Sequence, residues 1–171
     1  MRLLKPDLIL NSVFDIDINH LKDRNIKGII FDIDNTLASN KEETPKEEIL
    51  DFLKRLKENG FKIGISSNGN KERVTNYTKG LDFIYEYKAN KPIGIKTMKI
   101  VNKFGLDKSN VCLVGDQIFT DVLGGNFLGL YTILVTPIDN YENKFIKVKR
   151  LLEKFILKNS KGESNEKNSD Y

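Results

Sequence analysis

Apolar positions along the chain follow two rhythms. Short continuous runs rich in β-branched and aromatic residues recur at residues 27–33, 61–66, 83–85, 111–114 and 131–135. Runs of this length and make-up read as buried strands. Between them, apolar residues recur three and four apart. Ile49, Phe52, Leu53 and Leu56 give one such stripe, the signature of a helix that turns one face to a core. Thr44-Pro45-Lys46-Glu47 reads as a capping box with proline at the first helical position, and Gly60 as the stop. Further helices are expected from the polar turn 67–70 to near Gly80, over 93–104 up to Gly105, and over 120–128. Strands alternating with helices predict an α/β fold, a doubly wound parallel sheet. The lead-in, residues 1–26, is read as irregular, with a short strand over 13–16 and a short helix near 19–24.

Composition narrows this picture modestly. At 171 residues the chain can bury one sizeable core, so residues 1–158 are read as a single domain. Residues 159–171 are polar and charged and are expected to be disordered. Cys112 is the one cysteine, inside an apolar run, so disulfides and cysteine-built metal sites are excluded. His20 lies in a polar stretch and is assigned no chemistry. No run of apolar residues is long enough to span a membrane. The first residues carry charges and a proline and do not read as a signal peptide. A cytoplasmic location is expected. The net charge of +4 is concentrated: residues 144–158 carry +5, leaving −1 on the rest.

The chemistry lies at the strand ends. Asp32 and Asp34 close the first run, and a carboxylate at the mouth of a buried strand needs a partner such as a cation. In a parallel α/β sheet, ligands bind at the carboxyl ends of strands. The second run ends at Ser66-Ser67-Asn68, a hydroxyl and an amide before a helix, which suits a phosphate. Lys91 stands before Pro92 at the start of a helix, and Gly115-Asp116 closes the fourth run with Asp121 five residues on. Each feature alone has a plain structural reading as a turn residue, an N-cap or a solvated lysine. Together, acids, a hydroxyl, a lysine and two more acids at successive strand ends suit phosphoryl transfer on Mg²⁺, a hard cation with oxygen ligands.

These residues resemble the four motifs of the haloacid dehalogenase (HAD) superfamily of aspartate-nucleophile phosphatases: Asp32-Ile33-Asp34-Asn35-Thr36, Ser67, Lys91, and Gly115-Asp116 with Asp121. The stretches 66–70 and 115–126, with the lead-in 4–16, are similar to subclass IIIA. Within it they resemble the YqeG-type group related to mitochondrial phosphatidylglycerophosphatase. The resemblance implies that Asp32 attacks phosphorus and that Asp34 protonates the leaving oxygen and then activates water. It implies Mg²⁺ on Asp32, the Asp34 backbone carbonyl and Asp116, with Asp121 as a further ligand or orienting the metal's waters. Ser67, Asn68 and Lys91 would hold the phosphate. Asn35 stands where glycine is commoner, and asparagine tolerates the same turn.

Residues 37–60 and 68–90 each have room for about one helix, too little for a cap domain over the site. An open site suits a phosphate on a large molecule, with a lipid head group favoured by the resemblance and phosphatidylglycerophosphate the expected substrate. Phe145, Val148, Leu151, Leu152 and Phe155 fall at helical spacing among the lysines of 144–158. Such a basic amphipathic helix either packs on the core or touches the inner face of an anionic membrane. Two alternatives remain: a capless phosphatase for a soluble phosphomonoester or phosphoprotein, and an RNA- or ribosome-binding scaffold on a HAD core. The near-neutral charge of residues 1–143 argues against nucleic acid as partner.

Overall fold

The computed structural model describes residues 2–139 of the chain. Six strands form one sheet: β1 (Leu8–Leu10), β2 (Gly28–Phe31), β3 (Lys62–Ser66), β4 (Ile84–Glu86), β5 (Val111–Gly115) and β6 (Tyr131–Val135). Their order across the sheet is β1-β6-β5-β2-β3-β4, and every pairing is parallel. The helices are α1 (Ile18–Asp23), α2 (Glu47–Glu58), α3 (Lys71–Thr78), α4 (Ile95–Phe104) and α5 (Leu123–Leu128). This is the expected doubly wound α/β fold. From β2 the chain winds outward through β3 and β4, then returns to the other side of β2 as β5. The order therefore reverses between β2 and β5, which is where a ligand crevice opens in such sheets.

Alternation along the central strands divides the core in two. Ile29 and Phe31 face the layer holding Phe52, Leu53, Leu56, Val74 and Tyr77, while Ile30 faces Ile100, Val101 and Phe104 of α4. Both faces of β2 and β5 are buried, as parallel strands require. Helix α4 lies close on the sheet because Gly28 and Gly64 lack a Cβ. One added at Gly64 would lie 2.5 Å from Ile100. Cys112 is buried in the core, as the apolar run implied.

Several local expectations are corrected. The lead-in strand is Leu8–Leu10, beside β6, and not residues 13–16. Val13–Asp15 instead makes a 3₁₀ turn, because Ser12 accepts the Phe14 N–H at 3.2 Å while the Asp15 carboxylate accepts the Ser12 N–H at 3.0 Å. Local side-chain bonds of this kind compete with strand pairing. Helix α2 starts at Glu47 with Lys46 as its cap residue, so Thr44 and Pro45 stay in the loop. That loop is held back at Glu42, whose carbonyl accepts an Arg73 N–H. Helix α4 starts at Ile95 because Gly94 takes a left-handed conformation after Pro92. The helix expected over 120–128 begins as one turn of π-helix, Ile118–Val122. Residues 37–60 hold one helix, and residues 68–90 one helix and β4. The helix expected over 144–158 and the tail 159–171 lie outside the described residues, as does the proposed domain boundary at 158. Among the described residues, no helix is long and apolar enough to cross a membrane.

Candidate active site

Strand β2 delivers the first two acids. The Asp32 N–H extends the ladder by bonding the Val114 carbonyl of β5 at 2.9 Å. Beyond it the chain folds back sharply, and the Ile33 carbonyl accepts N–H groups from Thr36, Leu37 and Ala38 at 3.1, 2.9 and 3.0 Å. Asn35 takes the left-handed conformation at φ 62°, which asparagine tolerates. Its side chain does what glycine could not: Oδ1 accepts the Asp139 N–H at 3.2 Å and pins the chain leaving β6. The turn places Asp32 in the buried crevice and Asp34 at its partly exposed edge.

The loops after β3 and β4 are zipped together by backbone bonds. Ser67 N–H donates to the Glu86 carbonyl at 3.1 Å, Ala89 N–H to the Ser67 carbonyl at 3.0 Å, and Lys88 N–H to the Gly69 carbonyl at 2.9 Å. Asn68 Oδ1 accepts the Lys91 N–H at 3.1 Å. Ser67 is fully buried, and its Oγ accepts the Gly69 N–H at 2.9 Å, leaving the hydroxyl proton to point elsewhere. Lys91 then turns inward. Its Nζ lies 2.8 Å from Asp32 Oδ1 and 2.6 Å from Asp121 Oδ1, with the side chain 2% exposed.

Asp116 follows β5 directly, and the π-turn brings Asp121 back over the strand end. Asp121 Oδ2 accepts the Gln117 N–H at 3.1 Å and the Thr120 hydroxyl at 3.3 Å, so the carboxylate closes its own turn. π-Turns are rare and frequent at functional sites. The fit depends on Gly115: a Cβ there would lie 2.2 Å from Asp121 Cγ. Gly115 is locked in register with Leu134, so the aspartate must move instead. Gly115→Ala is therefore expected to swing Asp121 off Lys91 and lower turnover about 100-fold, as ångström misplacements do. Steady-state kinetics on the purified variant checks this, and wild-type turnover would show that Asp121 is not needed where it stands.

Asp32, Asp116 and Asp121 are all buried, and each offers a carboxylate oxygen within 4.8 Å of the others. Burial pushes the Asp32 carboxyl up to about 7; Lys91 pulls it back and Asp121 pushes it further up. Burial alone would lower Lys91, but the Asp121 and Asp32 carboxylates outweigh it and hold the ammonium above its ordinary range. Lys91 thus lies between two of the three acids. Clustered hard oxygen donors are the donor set Mg²⁺ takes, so the residues fit the cation.

The structure brings Asp32, Lys91, Asp116 and Asp121 into one cluster, with the Asp34 side chain at its edge. Ser67 sits beside Asp34 across Gly69, where an added Cβ would be 3.0 Å from Ser67 Oγ and 3.6 Å from Asp34 Oδ2. Asn68 is exposed, and its carbonyl oxygen is engaged by the Lys91 backbone, so it links two loops. The sequence reading missed Arg73, which binds Asp34 through Nε and Nη2 at 3.2 and 3.0 Å. The available signal was its position in the first turn of the helix that follows Ser67.

A family model described as mitochondrial PGP phosphatase matches residues 1–139. A Bacillus subtilis protein described as "Probable phosphatase YqeG" is 38% identical over 152 residues, covering 89% of this chain and 88% of its own. An Arabidopsis thaliana protein named phosphatidylglycerophosphate phosphatase 1, chloroplastic/mitochondrial, is 31% identical over 90% of this chain, which spans 47% of that relative's length. Among solved structures, the cobalt-bound deoxy-D-mannose-octulosonate 8-phosphate phosphatase of Haemophilus influenzae superposes with a TM-score of 0.52. The match covers 66% of this chain and 69% of that one at 15% identity, and so speaks to the fold.

Proposed function

The chain belongs to the mitochondrial PGP phosphatase family and is a HAD-type phosphatase, and we propose that it removes the terminal phosphate of phosphatidylglycerophosphate with Asp32 as nucleophile. The observation that carries the chemistry is the buried Asp32–Lys91–Asp121 network at the switch point, with Asp116 within reach. Asp32 attacks phosphorus, the bond from phosphorus to the leaving oxygen breaks, and that oxygen takes a proton from Asp34. Asp34 then removes a proton from water; the water oxygen attacks the aspartyl-phosphate, and its P–O bond breaks to return the Asp32 carboxylate and inorganic phosphate. Ser67 donates its hydroxyl proton to a phosphoryl oxygen, and Lys91 neutralises phosphate charge. Asp32, Asp116 and Asp121, with the Asp34 backbone carbonyl, would hold Mg²⁺, which when bound supplies positive charge to the phosphoryl oxygens.

The lipid substrate is supported by the family match and by the open site, since no inserted domain covers the crevice among the described residues. The test is phosphate release from phosphatidylglycerophosphate in mixed micelles, against soluble phosphomonoesters, with and without Mg²⁺. Release at least about 100-fold faster from the lipid, and dependent on Mg²⁺, is the expected result. Turnover of soluble esters with the lipid untouched would keep the phosphatase chemistry and overturn the lipid assignment.

A further inference from the structure

The geometry points to Arg73 as the positioning residue for Asp34, an assignment that rests on the reading of Asp34 as the acid and base of the reaction. The Asp34 side chain is not one of the three clustered carboxylates; it is held from outside, by a residue on α3. Arg73 Nε and Nη2 both end on the same oxygen, Oδ1, at 3.2 and 3.0 Å. The other oxygen, Oδ2, lies on the side of Gly69 and Ser67 Oγ, and Ser67 is the residue proposed above to bond a phosphoryl oxygen. The guanidinium thus fixes which oxygen is spent on structure and which carries the proton. A proton-transfer group works only at hydrogen-bond reach of its target, and Asp34, with its side chain 32% exposed, has room to turn into solvent.

Arg73 is itself held at several points. Its own N–H is capped by Asn70 Oδ1 at 2.8 Å, and its guanidinium lies 5.6 Å from the ring centre of buried Tyr77. Nη1 donates to the Glu42 carbonyl and Nη2 also to the Ser39 carbonyl at 3.3 Å. That loop is closed on itself, with Ser39 N–H on Glu42 Oε2 at 3.1 Å and Glu42 N–H on the Ser39 carbonyl at 3.1 Å. The planar fork therefore braces Asp34 between α3 and the loop that follows the nucleophile. A lysine has one rotatable ammonium and cannot reproduce the fork.

The test uses the full chain with Arg73→Gln, Arg73→Lys, Asp34→Asn and the double variant Arg73→Gln/Asp34→Asn. Two kinds of ester separate the two proton transfers. 4-Nitrophenyl phosphate has a leaving group that needs no proton, whereas an alkyl phosphate, phosphatidylglycerophosphate included, does. Arg73→Gln is expected to lower kcat on the alkyl ester about 10- to 100-fold, part of the general acid–base contribution, with KM within about twofold. On 4-nitrophenyl phosphate its first turnover stays fast and later ones slow, giving a nitrophenolate burst, because only the second step still needs Asp34. Arg73→Lys falls between the two, and the double variant is no slower than Asp34→Asn alone. Wild-type kcat in Arg73→Gln beside an inactive Asp34→Asn would overturn the assignment and leave the role of Asp34 standing. Equal losses on both esters with a raised KM would also overturn it, making Arg73 a direct phosphate ligand. Wild-type turnover in Asp34→Asn would remove the reading on which it rests. Should Arg73→Gln fail to fold, Arg73→Lys decides by the same burst and kcat criteria.

Discussion

Asp32→Asn is expected to abolish phosphate release from every substrate and, in EDTA at pH 8, to raise the melting temperature. The kinetic half follows from replacing the attacking oxygen by an amide: a loss of at least about 10⁴-fold is typical when a nucleophile is removed. The stability half follows from burial. Asp32 is pushed up to about 7 from an ordinary 3.8, first by burial and further by Asp121, and Lys91 offsets only part of this. The folded state therefore holds a proton on Asp32 more tightly than the unfolded chain does. Stability falls as pH rises from about 4 to about 7, where the unfolded carboxyl is ionised and the folded one still is not. Asparagine does not titrate. The advantage of the variant in EDTA should then be small near pH 5 and reach its full size near pH 8, at about 2–4 °C for each kcal/mol. Adding Mg²⁺ should reverse the order, because the wild type binds it with one more carboxylate and binding to the folded state alone adds stability. A variant that melts below the wild type in EDTA at pH 8 would show that ionised Asp32 is not a burden on the fold.

That tension between local cost and function explains why the site was so legible in the sequence. Asp32 and Asp116 break the apolar character of strand ends that otherwise read as core, with Asp121 five residues beyond the second of them, and a conflict of that kind marks a functional position. The strand order needed more than periodicity, yet alternating strands and helices leave few topologies, and the switch between β2 and β5 is where the acids converge. Arg73 carried no such conflict: a lone arginine in the first turn of a polar helix reads as a solvated face, and only the fold brings it to Asp34. The misread lead-in has the same cause on a smaller scale. Val13 and Ile16 flank Phe14 as a strand would, but Ser12 and Asp15 close a capping box around the turn. The true edge strand, Leu8–Leu10, is only three residues long. It is fixed from afar by Asp7, whose carboxylate accepts the Thr132 N–H at 2.8 Å. Contacts 125 residues apart in sequence leave no local trace.

Lys91→Met should be the most destabilising of the single substitutions in the site, and the one that Mg²⁺ repairs in stability without repairing activity. Lys91 lies between Asp32 and Asp121 at 2.8 and 2.6 Å, and all three side chains are at most 7% exposed. Methionine preserves most of the stem and removes the charge, leaving two carboxylates buried without their shared partner. Breaking a buried pair by deleting one member costs about 3–5 kcal/mol, which at this chain length is roughly 10 °C in melting temperature. The cost belongs to the acids left behind rather than to the lysine. In an Asp32→Asn/Asp121→Asn background the same substitution should therefore cost far less, a coupling that a thermodynamic cycle measures directly. A divalent cation among Asp32, Asp116 and Asp121 replaces the missing charge, so Mg²⁺ should raise the melting temperature of Lys91→Met more than that of the wild type. Turnover should stay at least about 100-fold down, because a cation held by the carboxylates does not stand where the ammonium meets the phosphoryl oxygens. Equal cost in both backgrounds would mean that Lys91 is held for packing alone. Activity restored by Mg²⁺ would mean that its charge serves the fold and not the reaction.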